Sequence, residues 1–268
     1  MKQRINSIKL SKQIRETSLR MVSYGKASHI GSALSIADVL AVLYSRVLSF
    51  KSNDSKFSQR DRFILSKGHA CVALYSVLYH LGFISKDDID SYGRDFSKLS
   101  SHVSHKVNGV EFSTGALGHG LPVAVGKAMS AKIQKKTWRV YVIMGDGELQ
   151  EGSVWEAIMF SSHHKLNNIT LVIDANNLQS LKTVDETLSI NPIASKFKSF
   201  GWECAEIDGH DHEMLFKELN SFNEKPKCII AKTIKGKGVS FMENKIEWHY
   251  KFPSNDELER ALSEVRNA

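Results

Sequence analysis

Residues 141–152 read YVIMGDGELQEG, and this stretch decides the class of fold. Its first half is a run of apolar and β-branched residues, which is typical of a buried strand. The run ends in a Gly-Asp-Gly turn, and a charge at the end of a buried strand is costly unless something there needs it. We therefore expect Asp146 to serve a ligand just beyond the carboxyl end of a central strand.

Similar apolar runs elsewhere in the chain predict further strands. Together with the first, the predicted strands are residues 62–66, 138–145, 169–174, 204–208 and 227–233. Amphipathic helical patterns lie between them, for example at residues 35–48, with a start at Ser35, and at residues 210–222. Strands that alternate with helices predict an α/β fold with a doubly wound, mostly parallel sheet and helices on both faces.

Length and composition predict one globular domain over residues 1–268, with an N-terminal helical arm at about 1–25 and a C-terminal helix at about 254–267. The arm has apolar residues at helical spacing with charges between them, unlike a signal peptide or a membrane span. The net charge of +7 comes from basic residues interleaved with acids. We expect a cytoplasmic protein with no nucleic-acid or membrane partner.

Polar or glycine-rich loops follow four of the predicted strands. They read SKGH (66–69), GDG (145–147), DANNLQ (174–179) and TIKGKG (233–238). Because ligands bind beyond the carboxyl ends of parallel strands, the Asp146 carboxylate and the Asn176 amide oxygen should meet there. This pair suits a hard divalent cation, whose other ligands would be water and the oxygens of a bound diphosphate.

Residues 113–132 supply a possible cradle for the diphosphate. Gly115, Gly118 and Gly120 open directly into a helical pattern, so free backbone N–H groups and the helix dipole would face an anion. A glycine-rich helix start can also be only a tight turn, and the order of the glycines differs from the Rossmann fingerprint.

Four histidines lie beside glycine, serine or tryptophan in expected loops: His29, His69, His102 and His249. A lone histidine is more often structural than catalytic. Several that converge on a metal and a diphosphate would suit proton transfer and the recognition of hydroxyl groups on a polyol.

These motifs resemble a known family. GDGELQEG followed by DANNLQ is similar to the thiamine diphosphate signature. With SKGHACVALYSVL, GALGHG, TIKGKGVSFMENKIEWH and ASHIGSALS, the sequence from about residue 10 to 253 resembles the amino-terminal half of transketolase. The resemblance implies a diphosphate-binding domain of the thiamine diphosphate-binding fold, with thiamine diphosphate and Mg²⁺ as cofactors and Ca²⁺ or Mn²⁺ able to substitute for Mg²⁺.

The resemblance also implies roles for single residues. Mg²⁺ would be held by Asp146, Asn176 and the backbone carbonyl of Leu178. Contacts to the cofactor would come from Ser32, His69, Gly115, Ala116, Leu117, Gly147, Glu151, Asn176 and Lys235. Glu151 matches an acid that in the family communicates between two active sites. His29, His102 and His249 would face the sugar, and His69 and His249 would polarise its carbonyl or move its protons.

One essential group is expected on another chain. In the family, the glutamate that activates the cofactor belongs to a pyrimidine-binding domain, as do most groups that grip the substrate phosphate. We therefore expect the N-terminal subunit of a split transketolase that moves a two-carbon ketol unit between sugar phosphates. It would be active only in a heterotetramer with two copies of a C-terminal subunit that carries the pyrimidine-binding domain.

The sequence departs from the family pattern at Ile30, Tyr250 and Phe252, where smaller residues are usual. Bulky groups beside His249 could narrow the sugar channel and change the acceptor. Three alternatives stay open: the alpha subunit of a 2-oxo acid dehydrogenase, the front half of a deoxyxylulose phosphate synthase, and a non-catalytic partner. The SKGH, GALGHG and EWH motifs favour transketolase over the dehydrogenase.

Overall fold

The computed structural model describes residues 5–51, 54, 56–222 and 224–268. Its central sheet has five strands: β1 (Arg62–Leu65), β2 (Val140–Gly145), β3 (Ile169–Ala175), β4 (Glu203–Asp208) and β5 (Lys227–Lys232). The spatial order is β1-β2-β3-β5-β4, and all four neighbouring pairs are parallel. The predicted fold class is confirmed, and the predicted strands lie within two residues of those observed.

Helices cover both faces of this sheet. Those in the described part of the chain are α1 (Ser7–Tyr24), α2 (Ile30–Ser35), α3 (Ala37–Val42), α4 (Cys71–His80), α5 (Lys86–Asp90), α6 (Gly120–Ile133), α7 (Gly152–His163), α8 (Val184–Leu188), α9 (Ile193–Ser199), α10 (His212–Asn220) and α11 (Asn255–Asn267). None of them is both long and apolar enough to cross a bilayer. Residues 1–4 of the expected N-terminal arm lie outside the described residues, and the single-domain organisation stays a prediction.

Alternate side chains of the strands enter two separate cores, as the two-residue period of a strand requires. On one face, Tyr141, Ile143 and Val172 pack with α1, α3, α4, α10 and α11. On the other face, Val142 and Leu171 pack with α6, α7 and α9. The middle strands are therefore buried on both faces, and the polar residues lie at their ends.

The predicted helix start at Ser35 is wrong. One helix ends at Ser35 and the next begins at Ala37, because Ile36 leaves helical geometry at φ −100° and ψ 4°. Ser35 does not cap the second helix; its hydroxyl donates to Ser32 O (3.0 Å) and to Asp174 Oδ2 (2.7 Å). A long-range contact to the end of β3 therefore displaces the local capping role.

A buried ion pair joins the first helices to the loops after β4 and β5. Arg15 donates two hydrogen bonds to the Asp38 carboxylate, at 3.0 and 2.6 Å, and its Nε donates to Lys237 O. His210 and His212 also contact Asp38. Burial alone would raise the pKa of Asp38, but the Arg15 guanidinium and these hydrogen bonds hold it well below its usual range.

Replacing Asp38 with Ala should strongly destabilise the fold. Arg15 would be left as an uncompensated buried charge, which typically costs about 3–5 kcal/mol. Urea unfolding followed by circular dichroism measures the loss. As a control, Glu213→Ala breaks the exposed pair with Arg46 and should shift the midpoint little. Equal effects of the two substitutions would contradict the role assigned to Asp38.

Candidate active site

The loops beyond the carboxyl ends of β1, β2, β3 and β5 surround one cavity of about 250 Å³. Its lining includes most of the residues that the sequence analysis selected: His29, Ser32, His69, His102, Gly115, Leu117, Asp146, Gly147, Asn176, Leu178, Lys235 and His249. Ala116 and Glu151 do not line it, and both are exposed, with Glu151 at the start of α7. The convergence of distant loops is the one expected at this edge of a parallel sheet.

Asp146 lies directly after β2, with its carboxylate oxygens 2.8 Å from Gly147 N and 2.6 Å from Asn177 N. Burial raises its pKa to about 6, and the nearby Asp174 carboxylate adds to this effect. A nearby cation would therefore stabilise its charged form.

The neighbouring groups fit a hard metal ion. Asn176 and Leu178 line the cavity together with Asp146, and Mg²⁺ prefers oxygen ligands such as a carboxylate, an amide oxygen or a backbone carbonyl. In the described residues, no group of three or more His, Cys, Asp and Glu side chains could hold a metal. An ion bound here would need further oxygens from water or a ligand.

Lys235 is a buried cation that contacts the loop after β3. Its ammonium donates to the carbonyl oxygens of Leu178 (3.1 Å) and Gln179 (2.8 Å) and lies 3.2 Å from His249 Nδ1. Burial lowers its pKa to about 8, with Lys67 contributing next. Over the described ranges, no carboxylate lies within ion-pair distance of Lys235. The Lys235 ammonium is therefore suited to binding an anion.

Two glycines allow close packing within the lining of the cavity. A Cβ atom on Gly147 would lie 2.9 Å from the Gln179 side chain, and one on Gly115, at φ +153°, would lie 2.9 Å from the His102 ring. Only glycine avoids both conflicts.

The charged groups decide which ligand fits the cavity. Asp146 offers a carboxylate to a metal ion, and Lys235 offers an ammonium to an anion. The residues present therefore fit a diphosphate together with a metal ion.

The predicted cradle before α6 is only partly free. Gly118 N donates to Glu148 Oε1 at 2.9 Å, and the Ser66 hydroxyl donates to the same oxygen. The Gly118 N–H is therefore not free for a bound diphosphate, because the buried Glu148 carboxyl group accepts from it. Glu148 was not selected from the sequence, although an acid two residues after Asp146 in a buried turn was a usable signal.

The four selected histidines form one cluster. The His29 ring centroid lies 5.3 Å from that of His69, 5.7 Å from His102 and 4.9 Å from His249. Burial lowers the pKa of every member, to about 4 for His29 and about 3 for His249. Neutral imidazoles can both donate and accept hydrogen bonds, as the recognition of hydroxyl groups requires.

Sequence reasoning missed the buried pair of Lys67 and Asp174, whose side chains are 2% and 1% exposed. Lys67 directly follows one predicted strand and Asp174 ends another. A charge at each of these strand ends could have indicated the pair. Of the departures from the family pattern, Tyr250 lines the cavity with its ring 4.8 Å from that of His249. Phe252 is not part of the lining.

Comparison with known proteins agrees with this geometry. The family model for the thiamine diphosphate binding domain of transketolase matches residues 6–264. One subunit of the apulose-4-phosphate transketolase of Phocaeicola vulgatus is 42% identical over 95% of this chain and 92% of its own length. Human transketolase is 34% identical over 98% of this chain but only 42% of its own length.

Solved structures show the same relationship. Transketolase from Campylobacter jejuni superposes with a TM-score of 0.90 at 31% identity, and that from Leishmania mexicana with 0.91 at 27%. This chain is covered to 98% in both cases and spans 43% and 41% of those proteins. The chain belongs to the transketolase family, and it corresponds to the thiamine diphosphate-binding domain of that family.

Proposed function

We propose that this chain is the N-terminal subunit of a split transketolase, which uses thiamine diphosphate and Mg²⁺ to move a two-carbon ketol unit from a ketose phosphate to an aldose acceptor. The observation that carries the proposal is the single cavity in which Asp146, Lys235 and the four histidines meet. A relative named as one subunit of a transketolase also supports the proposal, because it matches this chain along nearly the whole length of both.

Different residues would bind the metal ion and the diphosphate. Asp146, Asn176 and the Leu178 carbonyl would hold the metal, and Lys235 would balance the charge of the diphosphate. Thiamine diphosphate supplies the nucleophilic carbon that accepts and releases the two-carbon unit. Gly147 lets the turn after β2 pack closely against the Gln179 side chain.

The histidines face the substrate in this proposal. His69 and His249 would donate or accept protons at the sugar carbonyl, and His29 and His102 would bind its hydroxyl groups. Their ring centroids lie within 6 Å of His29, which is compatible with contact to one small polyol. Because a relative is named for apulose 4-phosphate, that ketose phosphate is the first donor to test.

The proposed enzyme needs a second kind of subunit. A C-terminal subunit with the pyrimidine-binding domain would complete a cytoplasmic heterotetramer of two copies of each chain. Ala116 and Glu151 are exposed, so they remain available to a cofactor or to a second chain at the rim of the assembly. A non-catalytic role would be favoured only if the completed assembly bound the cofactor without turning over any ketose phosphate.

The purified chain alone should show no ketol transfer, because the group that activates the cofactor is expected on the partner. Activity should appear when a pyrimidine-domain partner is co-purified with it. A coupled assay with ketose phosphate donors and aldose acceptors measures both states. Turnover by the chain alone would contradict the split-enzyme proposal.

Asp146→Ala should weaken Mg²⁺-dependent binding of thiamine diphosphate by more than about 100-fold, since even outer partners of metal ligands cost 10–100-fold when removed. Calorimetric titration of the assembled enzyme at several Mg²⁺ concentrations measures this loss. Glu259→Ala, which removes an exposed acid on α11, is the matched control. Unchanged affinity in Asp146→Ala would mean that the metal site is misplaced.

The histidine cluster should make the fold less stable in mild acid. The folded-state pKa values of His29 (about 4) and His249 (about 3) lie below the unfolded value of about 6.5. The unfolded chain therefore binds more protons between these values, and stability falls as pH decreases from about 6.5 towards 4. Urea unfolding at pH 7.5 and 5.0 should show a smaller difference for His29→Gln/His249→Gln than for the exposed control His163→Gln. Equal differences would refute the assignment of neutral imidazoles.

A further inference from the structure

Asp174 lies at the carboxyl end of β3, two residues before Asn176, and it is 1% exposed. Its Oδ2 accepts hydrogen bonds from Ser35 Oγ (2.7 Å), from the Lys67 ammonium and from Asn176 Nδ2 (3.0 Å). Its Oδ1 accepts from the Thr233 hydroxyl. One carboxylate thus joins α2 and the loops after β1, β3 and β5.

These contacts make Asp174 a poor metal ligand. Three donors already converge on Oδ2 and a fourth donates to Oδ1, and one of them is the Lys67 ammonium, which balances the charge of the carboxylate. Asp174 is also absent from the set of described residues that line the cavity, whereas Asp146 belongs to it. The role of Asp174 must therefore pass through a residue that it contacts.

The contact to Asn176 fixes which end of the amide faces the cavity. A carboxylate paired with an ammonium only accepts hydrogen bonds, so the NH₂ group of Asn176 must point towards Asp174. The amide oxygen then points away from Asp174 and accepts from Leu178 N at 3.0 Å, and both Asn176 and Asp146 line the cavity. Outer partners of this kind set the orientation of metal ligands in many proteins.

We propose that Asp174 is a positioning residue that orients the Asn176 amide, so that its oxygen is presented to the Mg²⁺ of the cofactor complex. This inference rests on the proposed function and deepens it. Because Lys67 and Thr233 tie the same carboxylate to the loops after β1 and β5, the fold sets this orientation before the metal arrives.

Asn176→Asp tests the proposal, because it exchanges one oxygen ligand for another. A carboxylate is ordinarily a good ligand for Mg²⁺. Here its second oxygen would face Asp174 Oδ2 at a distance where the amide now donates a hydrogen bond, and the two carboxylates would repel each other. We expect the Mg²⁺ affinity, read from thiamine diphosphate binding to the assembled enzyme, to fall by about 10–100-fold. Asn176→Asp should then bind Mg²⁺ no more tightly than Asn176→Ala.

A second substitution should reverse this loss. In Asn176→Asp/Asp174→Asn, the amide at position 174 can donate to the new carboxylate, so this hydrogen bond is restored with its direction reversed. The Ser35 hydroxyl, which now donates to Asp174 Oδ2, can donate to Ser32 O instead, and the number of carboxylates near Lys67 is unchanged. We expect the double variant to regain at least about tenfold in Mg²⁺ affinity over Asn176→Asp, within the range of such outer-shell effects. A general structural role for Asp174 does not predict that a second substitution in the buried ion pair improves metal binding.

Glu259→Ala is the control, since it removes an exposed acid on α11 that does not line the cavity and leaves Asp174 and Asn176 untouched. Its Mg²⁺ affinity should stay near that of the parent. The proposal is overturned if Asn176→Asp binds Mg²⁺ as tightly as the parent, or if the folded double variant binds it no better than Asn176→Asp.

Circular dichroism and the melting temperature show whether each variant folds. If the double variant does not fold, the single variants decide: binding by Asn176→Asp at least tenfold tighter than by Asn176→Ala overturns the proposal. A parent enzyme without any Mg²⁺-dependent cofactor binding would overturn the proposed function itself, and that result is recognised before any variant is compared.

Discussion

The ion pair between Lys67 and Asp174 is the interaction on which the arrangement of the site depends. Both side chains are almost fully enclosed, so neither charge can be solvated if the other moves. Lys67 follows β1 and Asp174 ends β3, on either side of β2. The pair therefore fixes the two flanking loops relative to the turn that carries Asp146. Since an isolated buried charge is very costly, the loops behave as one unit.

Two further charged groups in the same cavity, Asp146 and Lys235, form no ion pair within the described part of the chain. Asp146 and Lys235 are both buried, and burial shifts the pKa of each towards its neutral form. A metal ion alone would stabilise the Asp146 carboxylate but add repulsion to Lys235. A diphosphate alone would do the reverse. A metal–diphosphate complex satisfies both groups at once, which explains why the residues fit the pair better than either component.

The sequence predicted the features that depend on local pattern and missed those that depend on tertiary contact. Strands and the position of Asp146 followed from apolar runs that end in polar turns. Residues such as Ser32 and Leu117 came only from the family resemblance. The helix start at Ser35 was wrong because its hydroxyl is used by Asp174, and Glu148 was missed because its acceptors serve Ser66 and Gly118. No local pattern encodes these distant partners.

Burial and the positive charges of Lys67 and Lys235 lower the pKa values of His69 and His249, two members of the histidine cluster. Burial is the main reason why His249 is neutral, and the positive charge of Lys235 is the next. Lys67 acts in the same direction on His69. An anion bound beside Lys235 reduces this repulsion, and His249 then accepts a proton more readily. By linkage, a proton on His249 strengthens anion binding to the same degree. If the proposed function holds, binding of the cofactor diphosphate therefore raises the proton affinity of a group that would face the sugar.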